Sequence, residues 1–261
     1  MTRLHVDPSQ LVGDLITIAG EEHRYLTRVL RVGLGDRVVL FDGKSQEVDA
    51  TVTRIGPRAL ELKITERRTA GTPDRPTVTL IQGLSKGDKF DLVVQKATEL
   101  GVSRIVPVST SRAVIRPELG RALARQMRWQ KIAREASRQS GRVDIPDVAP
   151  ILPLDQALSE ATPQGLRIVL WEGARGQSLR AILPTPAKPE ESSAAPLQPT
   201  MDRTQAVTLV VGPEGGLTQE EVDAAVRLGF VVAGLGPRIL RTETAPLVAL
   251  AILGYVIGDL G

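Results

Sequence analysis

The chain has 261 residues, 42% of them hydrophobic, which is enough for two domains of ordinary size. It contains no cysteine, so disulfide bonds, thiolate zinc sites and covalent thiol catalysis are excluded. Only His5 and His23 are present, and we expect both at the surface, with no metal site. No stretch approaches the roughly 18 uninterrupted apolar residues of a membrane span, and the N-terminus lacks a signal-peptide core, so we expect a soluble, cytoplasmic protein.

The net charge of +3 is distributed unevenly along the chain. Between Arg104 and Arg142, nine arginines and one lysine accompany only two acids, which gives this window +8 and leaves −5 for the rest. A charge run is usually a solvated surface, but nearly exclusive use of arginine favours bidentate phosphate binding. We therefore expect this part of the chain to bind a polyanion.

Residues 1–72 predict a small β-barrel with one basic helix. The extended runs are Leu15–Ala19, Arg37–Asp42, Gln46–Ile55 and Leu60–Glu66, with a hairpin-type turn at Asp42-Gly43. The helical stretch Glu21–Arg31 has Arg24, Arg28 and Arg31 at spacings of four and three, hence on one face. Thr69–Pro76, rich in glycine and proline, is the expected linker.

Residues 73–261 predict an α/β domain with a largely parallel sheet covered on both faces, because strands and helices alternate. The predicted strands are Thr77–Leu84, Val102–Val108, Leu166–Trp171, Ala206–Val211 and Phe230–Leu235. The predicted helices are one capped by Asp88 and ending at Gly101, one between Pro117 and Gly141, Thr218–Leu228 and Glu243–Gly258. Residues 184–205 have no hydrophobic period and are expected to form a disordered insertion.

Two of these helices carry functional expectations. The helix between Pro117 and Gly141 has a packing side that includes Trp129 and a basic side expected to face phosphate. The basic side consists of Arg121, Arg125, Arg128, Lys131, Arg138 and Arg142. The last helix is apolar nearly all round, so it must be buried in the core, at a subunit interface, or both, and we expect a dimer.

A glycine-rich turn follows the strand that ends at Val211 and precedes a helix with Thr218 and Glu221 as a capping box. Its glycines leave the backbone free to approach a ligand at the carboxyl end of a parallel strand. The spacing is neither that of a nicotinamide fingerprint nor that of a nucleotide-phosphate loop. Taken alone, the turn is equally consistent with a purely structural role.

The segment Leu235–Ala245 also joins a strand end to a helix start. Together with Gly212–Leu217, it resembles the signature loops of the SPOUT methyltransferases. The whole pattern resembles the bacterial 16S ribosomal RNA uridine-N3 methyltransferase family over nearly the entire chain, with residues 184–205 as the main departure. The other matching stretches are Val29-Leu30-Arg31, Phe41-Asp42-Gly43, Lys96–Val102 and Trp129–Arg142.

The resemblance implies a trefoil knot, a PUA-like RNA-binding barrel at the N-terminus, a homodimer and S-adenosylmethionine as cofactor, with no metal. It also implies that the adenosyl group lies among three loops, 171–173, 211–216 and 235–242. The cofactor-binding residues implied are Trp171, Glu172, Val211, Gly212, Pro213, Glu214, Gly215, Gly216, Leu235, Gly236, Ile239, Leu240, Arg241 and Thr242.

Methylation at uridine N3 requires loss of a proton and stabilisation of the resulting anion. We expect Arg241 to supply the cation, with Arg238 and Arg112 as alternatives, and Glu172 or Glu214 to accept the proton. Two alternatives stay open: Glu214 braces its loop by accepting backbone hydrogen bonds, and in-line positioning supplies most of the rate without a strong base. The expected RNA contacts are Arg24, Arg28, Arg31, Arg112, Arg116, Arg121, Arg125, Arg128, Arg138 and Arg142.

Three other functions stay open on sequence grounds. The chain is also compatible with a SPOUT enzyme that acts on another RNA position, and with an RNA-binding ribosome-assembly factor whose pocket no longer catalyses. A nicotinamide enzyme is disfavoured, because the fingerprint is missing and no acidic residue follows Gly216 at the spacing that a ribose requires.

Overall fold

The computed structural model describes residues 2–69, 76–113, 119–174, 177–183 and 205–260. The chain forms two compact units, one of Met1–Pro73 with Arg134–Ile145, and one of Asp74–Ala133 with Pro146–Gly261. The first unit therefore includes a segment distant in sequence, which the composition of the linker does not indicate. Arg116, most of the expected linker, and the expected insertion up to residue 204 lie outside the described residues.

The first unit contains a five-stranded sheet with the order β1-β3-β4-β5-β2. Its strands are β1 (Thr2–His5), β2 (Leu15–Ala19), β3 (Arg37–Phe41), β4 (Gln46–Ile55) and β5 (Ala59–Thr69). β1 pairs with β3 in parallel, and the other pairs are antiparallel. Alternate residues of these strands, such as Val38, Leu40, Leu60 and Leu62, bury their side chains in one apolar cluster.

A short helix, α1 (Gly20–Arg24), continues into a π-helical turn at Tyr25–Val29. His23 lies on its inner side with only 7% of its surface exposed, and its Nε2 lies 3.0 Å from the carbonyl oxygen of Gly56. The expectation of a surface histidine was wrong here, because this hydrogen bond satisfies the ring inside the unit. The other histidine, His5, is partly buried against the ring of Phe41.

The second unit contains a parallel sheet with the order β12-β10-β11-β6-β7-β8, and β9 pairs with β7. Its strands are β6 (Val78–Gly83), β7 (Arg104–Ser109), β8 (Asp147–Val148), β9 (Leu152–Pro153), β10 (Leu166–Leu170), β11 (Val207–Val211) and β12 (Val231–Ala233). All residues of β11 are buried, as expected of a central parallel strand covered on both faces. The predicted α/β class is confirmed.

The helices of the chain beyond α1 are α2 (Lys89–Glu99), α3 (Leu119–Ser140), α4 (Leu154–Ser159), α5 (Leu179–Ile182), α6 (Gln219–Arg227) and α7 (Ala245–Val256). The capping box of α6 is present, with Thr218 and Glu221 bonding to each other's backbone amides. Asp88 occupies the N-cap position of α2 but makes no side-chain capping bond. No helix in the described ranges is long and apolar enough to cross a membrane.

The packing side of α3 was predicted correctly. Trp129 is 3% exposed, and its ring centroid lies 4.2 Å from that of Phe90 on α2. Its indole Nε1 donates a 3.0 Å hydrogen bond to Asp91. Trp129 therefore joins α3 to α2 both by apolar contact and by a hydrogen bond that satisfies its indole NH.

Candidate active site

Three loops of the second unit meet around one cavity of about 460 Å³. The first loop (171–173) follows β10, the second (211–216) follows β11 and the third (235–242) follows β12. These strands are parallel, and β10 lies between β12 and β11, so their carboxyl ends lie at the same edge of the sheet. Thirteen of the fourteen cofactor residues expected from the resemblance line this cavity. The exception is Gly215, whose carbonyl oxygen accepts a 3.1 Å hydrogen bond from Arg112 instead.

Bare backbone forms part of the cavity wall. A Cβ on Gly212 would lie 3.0 Å from the carbonyl carbon of Gly216, and Gly216 itself has φ +69°, which favours glycine. A Cβ on Gly216 would also lie 2.5 Å from Oε1 of Glu172. The glycines therefore allow the second loop to fold on itself and allow the Glu172 carboxylate to lie against it.

A buried hydrogen-bond chain joins the second and third loops. Gln82, fully buried near the end of β6, donates from Nε2 to Oγ1 of Thr242 at 3.0 Å. The Thr242 hydroxyl in turn donates to the carbonyl oxygen of Gly212 at 2.7 Å. Sequence reasoning missed Gln82, although a glutamine within the apolar run of β6 was the available signal.

Glu214 is held by groups that favour its ionised form. Its Oε1 accepts hydrogen bonds from the Lys86 backbone amide at 3.0 Å and from Lys89 Nζ at 3.1 Å. Burial alone would raise the pKa of Glu214, but backbone amides of Glu214 and Lys86, together with the Lys89 ammonium, hold it below its ordinary value. A carboxylate with a lowered pKa is a weaker base, so this geometry favours a bracing role for Glu214.

Arg241 and Glu243 flank the end of the third loop and both line the cavity. The Arg241 side chain is 82% exposed, and its Nη1 lies 3.9 Å from Oε1 of Glu243. Glu243 is only 14% exposed, and its Oε2 lies 3.9 Å from Lys89 Nζ without a hydrogen-bond partner among the described residues. Sequence reasoning missed Lys89, because only the fold brings the start of α2 beside the third loop, and it gave no role to Glu243 although it had singled out the loop Leu235–Ala245.

The expected RNA-binding arginines of α3 and its C-terminal end differ in availability. Arg121 is exposed and Arg125 partly buried, and neither has a hydrogen bond or ion pair with a described residue. Arg128 pairs with Asp91 and lies 3.4 Å from Asp88. A phosphate contact by Arg128 would therefore compete with carboxylates already in place.

Arg138 and Arg142 have partners within the first unit, and their role as phosphate contacts stays a prediction. Arg138 pairs with Glu135 and stacks over the ring of Tyr25 at 4.3 Å from its centroid. The Arg142 side chain is 8% exposed and lies 2.5 Å from Asp144. These two arginines were placed by helical periodicity alone, which does not show the acids and rings that surround the end of the helix.

The comparisons with known proteins agree with this geometry. A family described as an RNA methyltransferase domain matches residues 73–254, and an RNA methyltransferase PUA domain matches residues 18–65. The chain belongs to this RNA methyltransferase family. It is 31% identical, over 92% of its length and 89% of the relative's, to a protein of Bacillus subtilis named ribosomal RNA small subunit methyltransferase E.

Further members of the family have the same name or the same fold. A Mycobacterium tuberculosis protein of that name is 32% identical over 97% of this chain and 90% of its own. A solved Neisseria gonorrhoeae ribosomal RNA small subunit methyltransferase E, described as bound to S-adenosyl methionine, is 33% identical over 98% of both chains with a TM-score of 0.82. The predicted family and the PUA-like first domain are thereby confirmed, whereas the knot stays a prediction.

Proposed function

We propose that this protein transfers a methyl group from S-adenosylmethionine to N3 of a uridine in 16S ribosomal RNA of the small subunit, acting in the cytoplasm. The observation that carries the proposal is the convergence of the three loops on one cavity at the carboxyl edge of the parallel sheet. The names of the relatives support the RNA class, and the resemblance of the whole pattern to the uridine-N3 family, including Lys96–Val102 and Trp129–Arg142, supports the N3 position.

The residues present fit this cofactor. Exposed backbone at Gly212 and Gly216 suits recognition of an adenine edge by amides and carbonyls. Glu243 contributes a buried carboxylate oxygen to which no described residue donates, which fits a ligand that brings hydroxyl or ammonium donors or a positive sulfonium to the cavity. When bound, S-adenosylmethionine supplies a methyl group that its positive sulfur activates for nucleophilic attack.

Arg241 supplies the positive charge that the reaction requires. As uridine N3 loses its proton and attacks, negative charge spreads over the adjacent carbonyl oxygens. The Arg241 guanidinium lines the cavity and is largely exposed, and the acid that lies nearest to it in the described ranges, Glu243, is 3.9 Å away, so it is available to a substrate. Glu172, which lines the same cavity, accepts the proton, and Glu214 braces the second loop through Lys86 and Lys89.

The RNA is held by arginines without competing acids. Arg28, Arg31 and Arg121 are exposed and make no hydrogen bond or ion pair with a described residue. Arg31 has φ +54°, the only positive φ among described residues other than glycine. A strained backbone at an exposed cation supports a functional contact there.

The functional unit is a homodimer. α7 buries Ala249, Leu250 and Leu253 within the second unit, yet Ile252 and Tyr255 on the same apolar helix are 37% and 51% exposed. We expect Ile252→Glu to convert dimers to monomers in sedimentation velocity. Val226→Glu, which alters an exposed apolar residue of α6, is the matched control and should leave the dimer intact. A wild-type monomer would contradict this assignment.

The transfer itself is tested by incubating the protein with S-adenosylmethionine and small ribosomal subunits that lack the modification, followed by nucleoside mass spectrometry. We expect 3-methyluridine. Another methylated nucleoside would retain the enzyme class and refute the N3 assignment. RNA binding and cofactor binding without any transfer would instead support an assembly factor.

The roles of the side chains are separated by kinetics. Arg241→Ala should lower kcat by about 10²–10³-fold with S-adenosylmethionine affinity retained, because one stabilising donor is removed. Arg227→Ala, at an exposed arginine outside the cavity, should have no effect. Glu172→Gln should lower kcat, whereas Glu214→Gln should mainly weaken cofactor binding. Full turnover by Arg241→Ala would refute the cation role.

A further inference from the structure

The first unit contains a basic cavity of about 460 Å³ that no residue of the three loops lines. Arg24 and Arg28 from α1 and its π-helical turn line one side, and Arg58 from the turn between β4 and β5 lines the other. The residues lining this cavity include no aspartate or glutamate. Arg58 stands apart from the arginine-rich window and was not singled out by the sequence.

A partly buried hydrogen bond joins the two sides of this cavity. His23, on the inner side of α1, joins through Nε2 to the carbonyl oxygen of Gly56 at 3.0 Å. Thr27 donates its hydroxyl to the carbonyl oxygen of His23 at 2.7 Å, which stabilises the transition from α-helix to π-helical turn. π-helical turns occur frequently at functional sites, and this one carries Arg28 into the cavity wall.

The guanidinium groups of this cavity are available. Arg28 and Arg58 are exposed and make no hydrogen bond or ion pair with a described residue. Arg24 makes one bond of 3.4 Å, to the carbonyl oxygen of Gly20. By contrast, Arg54 and Arg68 on the same sheet pair with Glu61 and Asp49. Unpaired arginines that converge without an acid favour an anionic ligand, and phosphate matches their planar geometry.

The remaining wall is partly apolar and limits what kind of anion fits. Ile55, 40% exposed, and Pro57 line the cavity beside the arginines. A phosphate alone would leave these surfaces uncovered, whereas an unpaired nucleotide offers a phosphate to the guanidinium groups and a flat base to the apolar wall. Arginine planes also stack on bases in RNA complexes.

We infer that this cavity binds one unpaired nucleotide of the RNA substrate, distinct from the uridine that is methylated. The inference rests on the proposed function for the identity of the RNA. The cavity acts in binding rather than in chemistry, because none of the residues assigned to the methyl transfer lines it.

The test compares two double variants of the full chain. Arg28→Ala with Arg58→Ala removes two cavity cations. Arg37→Ala with Arg54→Ala removes two cations from the same sheet outside the cavity. RNA affinity is measured by fluorescence anisotropy across a salt series, and S-adenosylmethionine affinity by calorimetry. The cavity variant should reduce the slope of log affinity against log salt by about 0.7 for each lost phosphate contact, and the control should change it less.

A charge-preserving variant tests the cavity itself. Thr27→Met retains all three arginines and fills part of the space, so it should weaken RNA binding without changing the salt slope. If Thr27→Met binds RNA like the wild type, the site is a flat electrostatic surface and the nucleotide pocket is refuted. Equal affinities of the two double variants would also refute it.

Methylation kinetics separate this inference from the proposed function. The cavity variant should raise KM for RNA and leave kcat at saturating RNA and cofactor affinity unchanged. If the cavity variant methylated RNA with the wild-type KM for RNA, the inference would be refuted and the enzyme assignment would stand. If the wild type transferred no methyl group but the cavity variant bound RNA more weakly than the wild type, the enzyme assignment would be refuted and the nucleotide-binding role of the cavity would stand.

Discussion

Gly83 packs closely against the second loop, and replacing it by alanine tests whether this close approach sets the position of that loop. Gly83 is the last residue of β6, which pairs in parallel with β11 as far as Gln82 and Val211. A Cβ at Gly83 would lie 2.5 Å from the nitrogen of Pro213, 2.6 Å from its Cδ and 2.8 Å from the carbonyl carbon of Gly212. Ordinary contacts are about 3.5 Å or longer, so the loop must retreat by roughly 1 Å.

The clash cannot be relieved by a side-chain rotation, because the three atoms belong to the backbone or to a proline ring. Overpacking of this kind costs about 1–3 kcal/mol, which corresponds to a decrease of about 2–4 °C in Tm for each kcal/mol. Gly212 and Pro213 also line the cavity. If their retreat removes one or two hydrogen bonds to the cofactor, at about 1 kcal/mol each, S-adenosylmethionine affinity falls roughly 5–30-fold.

Differential scanning fluorimetry and isothermal titration calorimetry measure the two effects on Gly83→Ala. Gly120→Ala in α3 is the matched control, because a Cβ there meets no atom within 4 Å and alanine favours the helix. The control should melt at the wild-type temperature or slightly above it and bind the cofactor normally. If Gly83→Ala also retained the wild-type Tm and cofactor affinity, the close approach would not position the loop, and the reasoning would be refuted.

Three further changes test how the two units are stabilised. Trp129→Phe loses the bond to Asp91 and some packing, and should lower the free energy of unfolding by about 1–3 kcal/mol in urea denaturation. Thr218→Ala removes the cap that bonds the Glu221 amide and should cost about 0.5–2 kcal/mol in the same assay. Burial alone would raise the pKa of Asp42, but backbone amide hydrogen bonds outweigh it and lower the pKa, so this group stabilises the fold above about pH 4 and loses its contribution as pH falls further. Asp42→Asn should therefore weaken the acid dependence of Tm, and an unchanged dependence would contradict the assignment.

The strands predicted best from the sequence are those in which apolar and polar residues alternate clearly. β2 and β4 have the predicted bounds, Leu15–Ala19 and Gln46–Ile55, because alternating apolar residues are bounded there by turn residues. The strands missed were β1 and the two-residue β8 and β9. Their extended backbone is stabilised by pairing with distant strands, β1 with β3 and both short strands with β7, and a local pattern does not report such partners.

The same distinction applies to the candidate site: its continuous loops could be predicted from the sequence, whereas the residues that the fold brings to them could not. The glycine loop and the third loop were recognisable because each is a continuous stretch that joins a strand to a helix. Gln82 and Lys89 join those loops from other parts of the chain, and they meet them only because β6 lies beside β11 in the sheet. Their partners, such as the Thr242 hydroxyl, are therefore set by topology rather than by spacing.

The arginines show why charge density in a sequence is a poor measure of binding capacity. The window from residue 104 to 142 has a large positive excess, but Asp91 and Asp144, which lie outside it, pair with Arg128 and Arg142 in the folded units. Arg58 adds nothing to that window, yet no acid in the described part of the chain pairs with its guanidinium. A bound phosphate must displace existing ion pairs at the first two arginines and none at the third, so affinity should follow the unpaired cations. We accordingly expect RNA affinity to depend more on Arg58 than on Arg128 or Arg142.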